Sequence, residues 1–294
     1  MQFNRILSVL NTTAEDQIAR QRAAFLAART GTELKLQAVV YEPHHAEPIF
    51  HERDERCEAE RSKRLDAITY WLQDQAMRCD GADVKVEASW GHPFDRAVLD
   101  AVAEYQPDLL VIQPRNLDSR KLSTAEWHLL RQAPCPVWLA RGPQWTSNQK
   151  NLIAAVDPTH GHNKPAALDR EIIDAAETIA SALGVRYRLV HAIGKIPGTI
   201  GAAQHPMDYE RELREIRRRH IEDLLGEESL GDIEILVNEP GEALGLLCNE
   251  DQAHLVIMGI IARSRIADLL VGTTARHFIP ESRCDILLIK PPKQ

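Results

Sequence analysis

The sequence predicts an α/β protein built from two tandem, doubly wound parallel sheets of five strands each, and three observations predict it. Short apolar runs alternate with longer segments of helical periodicity, the order that builds parallel sheet through right-handed crossovers. The runs, Leu109-Leu-Val-Ile112 and Leu255-Val-Ile-Met258 among them, carry no polar alternation, as expected of strands buried on both faces. The chain also repeats itself. Asn4-Arg-Ile-Leu-Ser-Val-Leu10 matches Asn151-Leu-Ile-Ala-Ala-Val-Asp157, Leu109 matches Leu255, and Cys135 matches Cys284 at a near-constant offset. On that matching Leu10 is the counterpart of Asp157, and Gln113 that of Gly259.

Residues 5 to 10 form the first apolar run, and residues 14 to 30 carry Ile18, Ala19, Arg22, Ala23, Phe25 and Leu26 at helical spacing before Gly31. Leu34 to Tyr41 is the second strand. A polar loop with Pro43 and Pro48 leads to a charged helix over about 52–79, with Leu65, Ile68 and Leu72 on one face. Val84 to Ala88 alternates as a third strand, and Pro93 opens a helix that runs to Tyr105, since proline suits a first turn. Leu109 to Ile112, a helix over 124–132 and a strand from Val137 to Ala140 complete the first copy. The second copy repeats the order, with strands near 152–156, 187–192, 233–237, 255–258 and 286–289. Arg141 to Lys150 has turn residues and no periodicity, which predicts domains over 1–141 and 151–294 joined by a linker over 142–150. The glycine- and proline-rich stretch Gly194 to Pro206 reads as a surface loop.

At 294 residues, 44% of them hydrophobic, the chain can bury two cores. A net charge of −8 with both signs interspersed argues against nucleic acid as a partner, because phosphate-backbone binding needs a basic face. No apolar run approaches the roughly 20 residues that span a bilayer, and Met1-Gln-Phe-Asn-Arg5 has no signal-peptide profile, so no membrane association and a cytoplasmic location are expected. Five cysteines, at 57, 79, 135, 248 and 284, are widely spaced and never in a CxxC pair, which suits reduced thiols.

The stretch from His254 to Lys290 has a layout suited to phosphates: a strand, a glycine turn at Gly259, then Gly272-Thr273-Thr274 at a helix start, and a last strand. Glycine lets backbone N–H groups approach an anion, and a helix N-terminus adds favourable partial charge. Gly259, two residues, Ala262, nine residues and Gly272-Thr273 resembles the nucleotide-loop signature of universal stress proteins, which is glycine, two residues, glycine, nine residues, glycine, then serine or threonine. Ala262 stands in place of the second glycine. The ending Ser282 to Pro291 is similar to that family's last strand, and Ser123-Thr-Ala-Glu-Trp-His-Leu-Leu-Arg131 followed by Ala133-Pro-Cys-Pro-Val-Trp138 resembles the tandem E-type members.

The resemblance implies the adenine nucleotide alpha hydrolase-like fold with strand order 3-2-1-4-5 in each half. It also implies an intrachain pseudo-dimer joined through Pro136–Ala140 and Asp285–Ile289, and a further homodimer is compatible with it. Its implied function is a non-catalytic stress-response protein that binds an adenine nucleotide, ATP with Mg, in the second copy. There Asp157 would accept hydrogen bonds from the adenine amino group or a ribose hydroxyl, and Ala192, after His191, would lie against the adenine. Met258, Gly259 and Ala262 would shape the loop, Gly272, Thr273 and Thr274 would meet the phosphates, and Arg263 and Arg265 would offset the missing glycine by pairing with phosphate oxygens. Arg265 stands where many members have another glycine. If Ala262 needs a positive φ, alanine costs on the order of 1 kcal/mol against glycine, close to tenfold in affinity. The competing reading makes Asp157 a turn cap and the glycines plain turns.

The first copy departs further, with Gln113-Pro114 where the loop should open, no glycine between Gly91 and Gly142, and a shorter stretch from Gln113 to Ser123 than from Gly259 to Gly272. It reads as having lost phosphate binding. No nucleophile elbow or Walker lysine loop occurs, so no catalytic residue is assigned. His160 and His162, and separately His44, His45 and His51, are histidine clusters weighed as metal ligands against solvated loops, and no metal site is assigned. Two other functions stay open: action through a small apolar ligand or a protein partner without nucleotide, and slow ATP hydrolysis assisted by a metal at His160 and His162.

Overall fold

The computed structural model describes residues 1–41, 55–116, 121–142, 145, 151–159, 166–194, 206–225, 231–250, 253–263 and 270–292. They divide into two compact units, Phe3–Ala140 and Arg141–Gln294 with Met1–Gln2. The first unit runs β1 (Arg5–Val9), α1 (Ile18–Thr30), β2 (Glu33–Val40), α2 (Glu55–Met77), β3 (Val84–Trp90), α3 (Phe94–Tyr105), β4 (Leu109–Ile112), α4 (Thr124–Gln132) and β5 (Val137–Leu139). All its pairings are parallel, in the order β3-β2-β1-β4-β5. Every residue of β4 and β5 is buried, which is why those strands read as unbroken apolar runs.

Helix α1 begins at Ile18, four residues later than its periodicity suggests. Side chains claim the backbone before it: Gln17 Oε1 accepts from the Asn11 N–H at 3.2 Å, and Gln17 Nε2 donates to the Asn11 and Ala14 carbonyls. Local side-chain bonds of this kind compete with helix formation. The helix ends at Gly31, whose φ of 69° lets its N–H reach the Ala27 carbonyl at 2.9 Å.

The second unit repeats the plan as β6 (Leu152–Ala155), α5 (Ala166–Leu183), β7 (Tyr187–Ile193), α6 (Pro206–Glu222), β8 (Gly231–Val237), α7 (Pro240–Glu250), β9 (Leu255–Gly259), β10 (Ala262–Arg263), β11 (Leu270–Val271), α8 (Thr273–Glu281) and β12 (Asp285–Ile289). Its parallel strands lie in the order β8-β7-β6-β9-β12. Each unit therefore has the order 3-2-1-4-5. The two-residue strands β10 and β11, which the sequence reading did not anticipate, pair antiparallel.

Strand register corrects the matching of the two copies. Val9 pairs with Gln37 and Ile112, whereas Ala155 pairs with Val190 and Met258. The next residues, Leu10 and Val156, donate to the Gln37 and Val190 carbonyls at 2.8 and 3.0 Å. The counterpart of Leu10 is thus Val156, and the counterpart of Asp157 is Asn11. Matching Asn4 to Asn151 by residue identity slipped the first strand by one position. The hydrogen bonds instead equate Asn151 with Arg5, since these two carbonyls accept from His254 and Asp108, the residues that precede β9 and β4. A slip of one residue in a strand sends a side chain to the other face, so it changes which residue meets the ligand edge.

Candidate functional site

In an open doubly wound sheet the cleft forms beyond the carboxyl ends of the strands where connection direction reverses. In the second unit those strands are β6 and β9, with β7 beside β6. Asp157 follows β6. Its N–H donates to Asp169 Oδ1 at 3.0 Å, and its own Oδ1 accepts from the Thr159 N–H at 3.2 Å and hydroxyl at 2.6 Å. The carboxylate therefore caps a turn, as the competing reading held, while its side chain stays 36% exposed at the strand end. His191 in β7 is buried, and its Nδ1 donates to the Val156 carbonyl at 3.1 Å and lies 4.0 Å from Asp157 Oδ1. The sequence reading named His191 only as a neighbour of Ala192, because the contact joins two strands far apart in the chain. Ala192 itself is half-buried within β7.

Met258 is buried and Gly259 half-buried at the end of β9. A Cβ on Gly259 would come within 2.7 Å of Leu168 Cδ2 and 3.2 Å of Leu168 Cγ, so glycine here lets α5 pack against the strand end. The loop beyond it is drawn into a hairpin, with Ala262 opposite Val271 and Arg263 opposite Leu270. That ladder brings Gly272, next after Val271, back toward Gly259. Among the described non-glycine residues only Gln106 has a positive φ, so the strain cost raised for Ala262 does not arise. Gly272 is the N-cap of α8, with Thr273 exposed and Thr274 half-buried in the first turn. No side chain caps that helix start among the described residues, and a Cβ on Gly272 would meet nothing within 4 Å. Arg265 and the histidines at 44, 45, 51, 160 and 162 lie outside the described residues.

The first unit closes the same place with its own side chains. Helix α4 has the length of α8, which equates Ser123 with Gly272 and Glu126 with Ala275. Ser123 and Glu126 form a reciprocal capping box. The buried Glu126 carboxylate accepts from the Ser123 N–H at 2.5 Å and from the Arg115 N–H at 2.7 Å, so an internal anion takes donors at the helix start. Gln113, the counterpart of Gly259, folds its amide onto α1, accepting from the Ala19 N–H at 3.1 Å and donating to the Asp16 carbonyl at 3.0 Å. Asn11 repeats the turn made by Asp157, its Oδ1 accepting from the Thr13 N–H and hydroxyl. What remains is a cavity of about 40 Å³ lined by Asn11, Val39, Phe94, Gln113, Arg115 and Glu126.

His128 and His277 occupy equivalent helix positions in the two repeats. In the first unit His128 Nδ1 lies 2.5 Å from Asp95 Oδ2; in the second the counterpart of Asp95 is Gly241, where a Cβ would lie 3.3 Å from the His277 Cβ.

Fold and site together define a tandem α/β protein of two doubly wound parallel units, one with its helix start plugged by a carboxylate and one whose corresponding helix starts at a glycine. The chain belongs to the universal stress protein family, whose model matches residues 2–141 and 150–290. It is similar to Universal stress protein E of Escherichia coli (strain K12), 28% identical with 98% of this chain and 94% of that protein covered. A Universal stress protein E homolog of Haemophilus influenzae is 25% identical, covering all of this chain and 99% of its own. Among solved structures, a functionally unknown protein from Pseudomonas aeruginosa PAO1 shares the fold with a TM-score of 0.73 at 22% identity, over 98% of this chain and 93% of that one. No helix among the described residues is long and apolar enough to cross a membrane.

Proposed function

We propose that this tandem universal stress protein acts by binding rather than turnover, and that its second repeat holds one adenine nucleotide, ATP with a divalent ion. The observation that carries the reading is the difference between equivalent helix starts: Glu126 supplies a carboxylate to backbone donors in the first repeat, and Ala275 supplies none in the second. Phosphate would take that place, meeting Gly272, Thr273 and Thr274, with Gly259, Ala262 and Arg263 forming the facing hairpin. Asp157 would read the adenine or ribose, and Ala192 and Met258 would bound the base. A divalent ion arriving with ATP would be held mainly by phosphate oxygens, as such ions usually are, and would neutralise charge there.

A second reading has a specific observation behind it. Asp157 Oδ1 is engaged by Thr159, and Gly259 packs under Leu168, so both residues have structural work without nucleotide. On that reading the protein acts through an apolar ligand or a protein partner. Denaturing the purified chain and resolving the released small molecules by ion exchange separates the two: adenine nucleotide is expected. Its absence, together with no heat of ATP binding by titration calorimetry, would leave the second reading standing.

A further inference from the structure

The thiols of Cys248 and Cys284 meet in the core of the second unit, where neither the repeat nor the nucleotide reading gives them work. Cys248 lies in α7 and Cys284 in the turn between α8 and β12, yet their Sγ atoms are 2.6 Å apart and both side chains are buried. Duplication accounts for Cys284, whose counterpart is Cys135 in the first repeat. It does not account for Cys248. The N–H of Ala97 donates to the Pro93 carbonyl, and that of Ala243 to the Glu239 carbonyl, which aligns α3 with α7 and places the buried Val102 where Cys248 stands. The first repeat thus has a valine at the position of Cys248 beside the shared cysteine position, and the second has a cysteine at both positions.

We propose that Cys248 and Cys284 are a redox-responsive pair, oxidised reversibly by a hydroperoxide to a disulfide that ties α7 to the end of α8. The proposal does not depend on nucleotide binding. In the first step Cys248, the residue with the greater exposure at 7% against 2%, attacks the terminal peroxide oxygen through its sulfur as its thiol proton leaves. The O–O bond breaks, giving a sulfenic acid at Cys248 and an alcohol, or water from hydrogen peroxide. The Cys284 sulfur then attacks the Cys248 sulfur, its own proton and the sulfenic hydroxyl departing as water. Two thiols have lost two electrons and two protons, and the peroxide has gained them. The hydrogen bond with Cys248, together with burial, pushes the Cys284 thiol pKa well up, so Cys284 remains protonated until that second step.

The staple has a mechanical consequence, because Cys284 lies three residues beyond the end of α8, the helix that Gly272 begins. Full-length reduced protein treated with hydrogen peroxide, then unfolded, alkylated and digested for mass spectrometry should show loss of two of its five thiols as a linked Cys248–Cys284 peptide. Dithiothreitol should restore both. Cys135, whose repeat carries Val102 at the position of Cys248, should stay alkylatable. The Cys248→Val protein, which installs the residue of the other repeat, should keep Cys284 alkylatable under the same treatment. Cys248 and Cys284 both still alkylatable after peroxide has consumed other thiols would overturn the proposal, as would the linked peptide failing to revert. The wild-type peptide map decides the matter even if the valine variant folds poorly.

Discussion

Two glycines that share one sequence motif have different physical roles. Gly259 is required by packing, because a Cβ would press on buried Leu168, whereas at Gly272 the space is open. Gly259→Ala should therefore destabilise the apo protein by about 1–2 kcal/mol, as overpacking of a core does. Gly272→Val should change apo stability by no more than about 1 kcal/mol, the scale of an N-cap preference, yet abolish nucleotide binding. Urea unfolding without nucleotide and calorimetry with ATP read these separately, and undiminished binding in the valine protein would contradict the placement of the phosphates. Glu33 offers a test unrelated to the site. Its carboxylate accepts from Lys85 Nζ and from the Tyr105 hydroxyl, both at 2.7 Å, and these bonds hold its pKa below the usual carboxylate value. A carboxyl depressed in the folded chain stabilises it above the unfolded pKa of roughly 4.3, and that stabilisation fades as pH falls through the folded value. The stability difference between wild type and Glu33→Gln should hold steady from neutral pH to about 5 and shrink below about 4. A difference that is the same at both ends of that range would contradict it.

At the scale of elements, the two repeats differ most in how a nine-residue helix begins. Glu126→Ala removes the capping box and leaves the Ser123 and Arg115 N–H groups without that carboxylate, which should cost about 1–3 kcal/mol in urea unfolding. The reciprocal change, Ala275→Glu, builds the plug of the first repeat into the second. It should weaken ATP binding by at least about tenfold, roughly 1.4 kcal/mol, without unfolding the chain. Calorimetry showing unchanged affinity in that variant would mean that phosphate does not sit at the α8 start. The Ser123–Glu126 spacing is that of a capping box, a signal the sequence reading left unused, and its link to Arg115 has no local signal at all. That bond depends on where β4 delivers the chain.

For the whole chain, the asymmetry of the repeats predicts stoichiometry. Titration calorimetry should give one nucleotide per chain, because in the first repeat Gln113 and Glu126 fill the loop and the helix start with their own side chains. Two per chain would overturn the assignment. The amino-acid sequence by itself determined the fold class and the duplication, because buried parallel strands and their crossover helices leave a periodic apolar signal that needs no partner to be read, while the strand order came only with the resemblance to the family. It also marked Gly272 and its two threonines as a helix start. Only the tertiary structure decided that Asn11 answers to Asp157, that His191 stands beside that aspartate, that Ala262 is unstrained in a hairpin, and that Cys248 meets Cys284. Each of these is a contact or a register between segments distant in the chain, and such relations are set by packing and hydrogen-bond geometry rather than by local residue pattern.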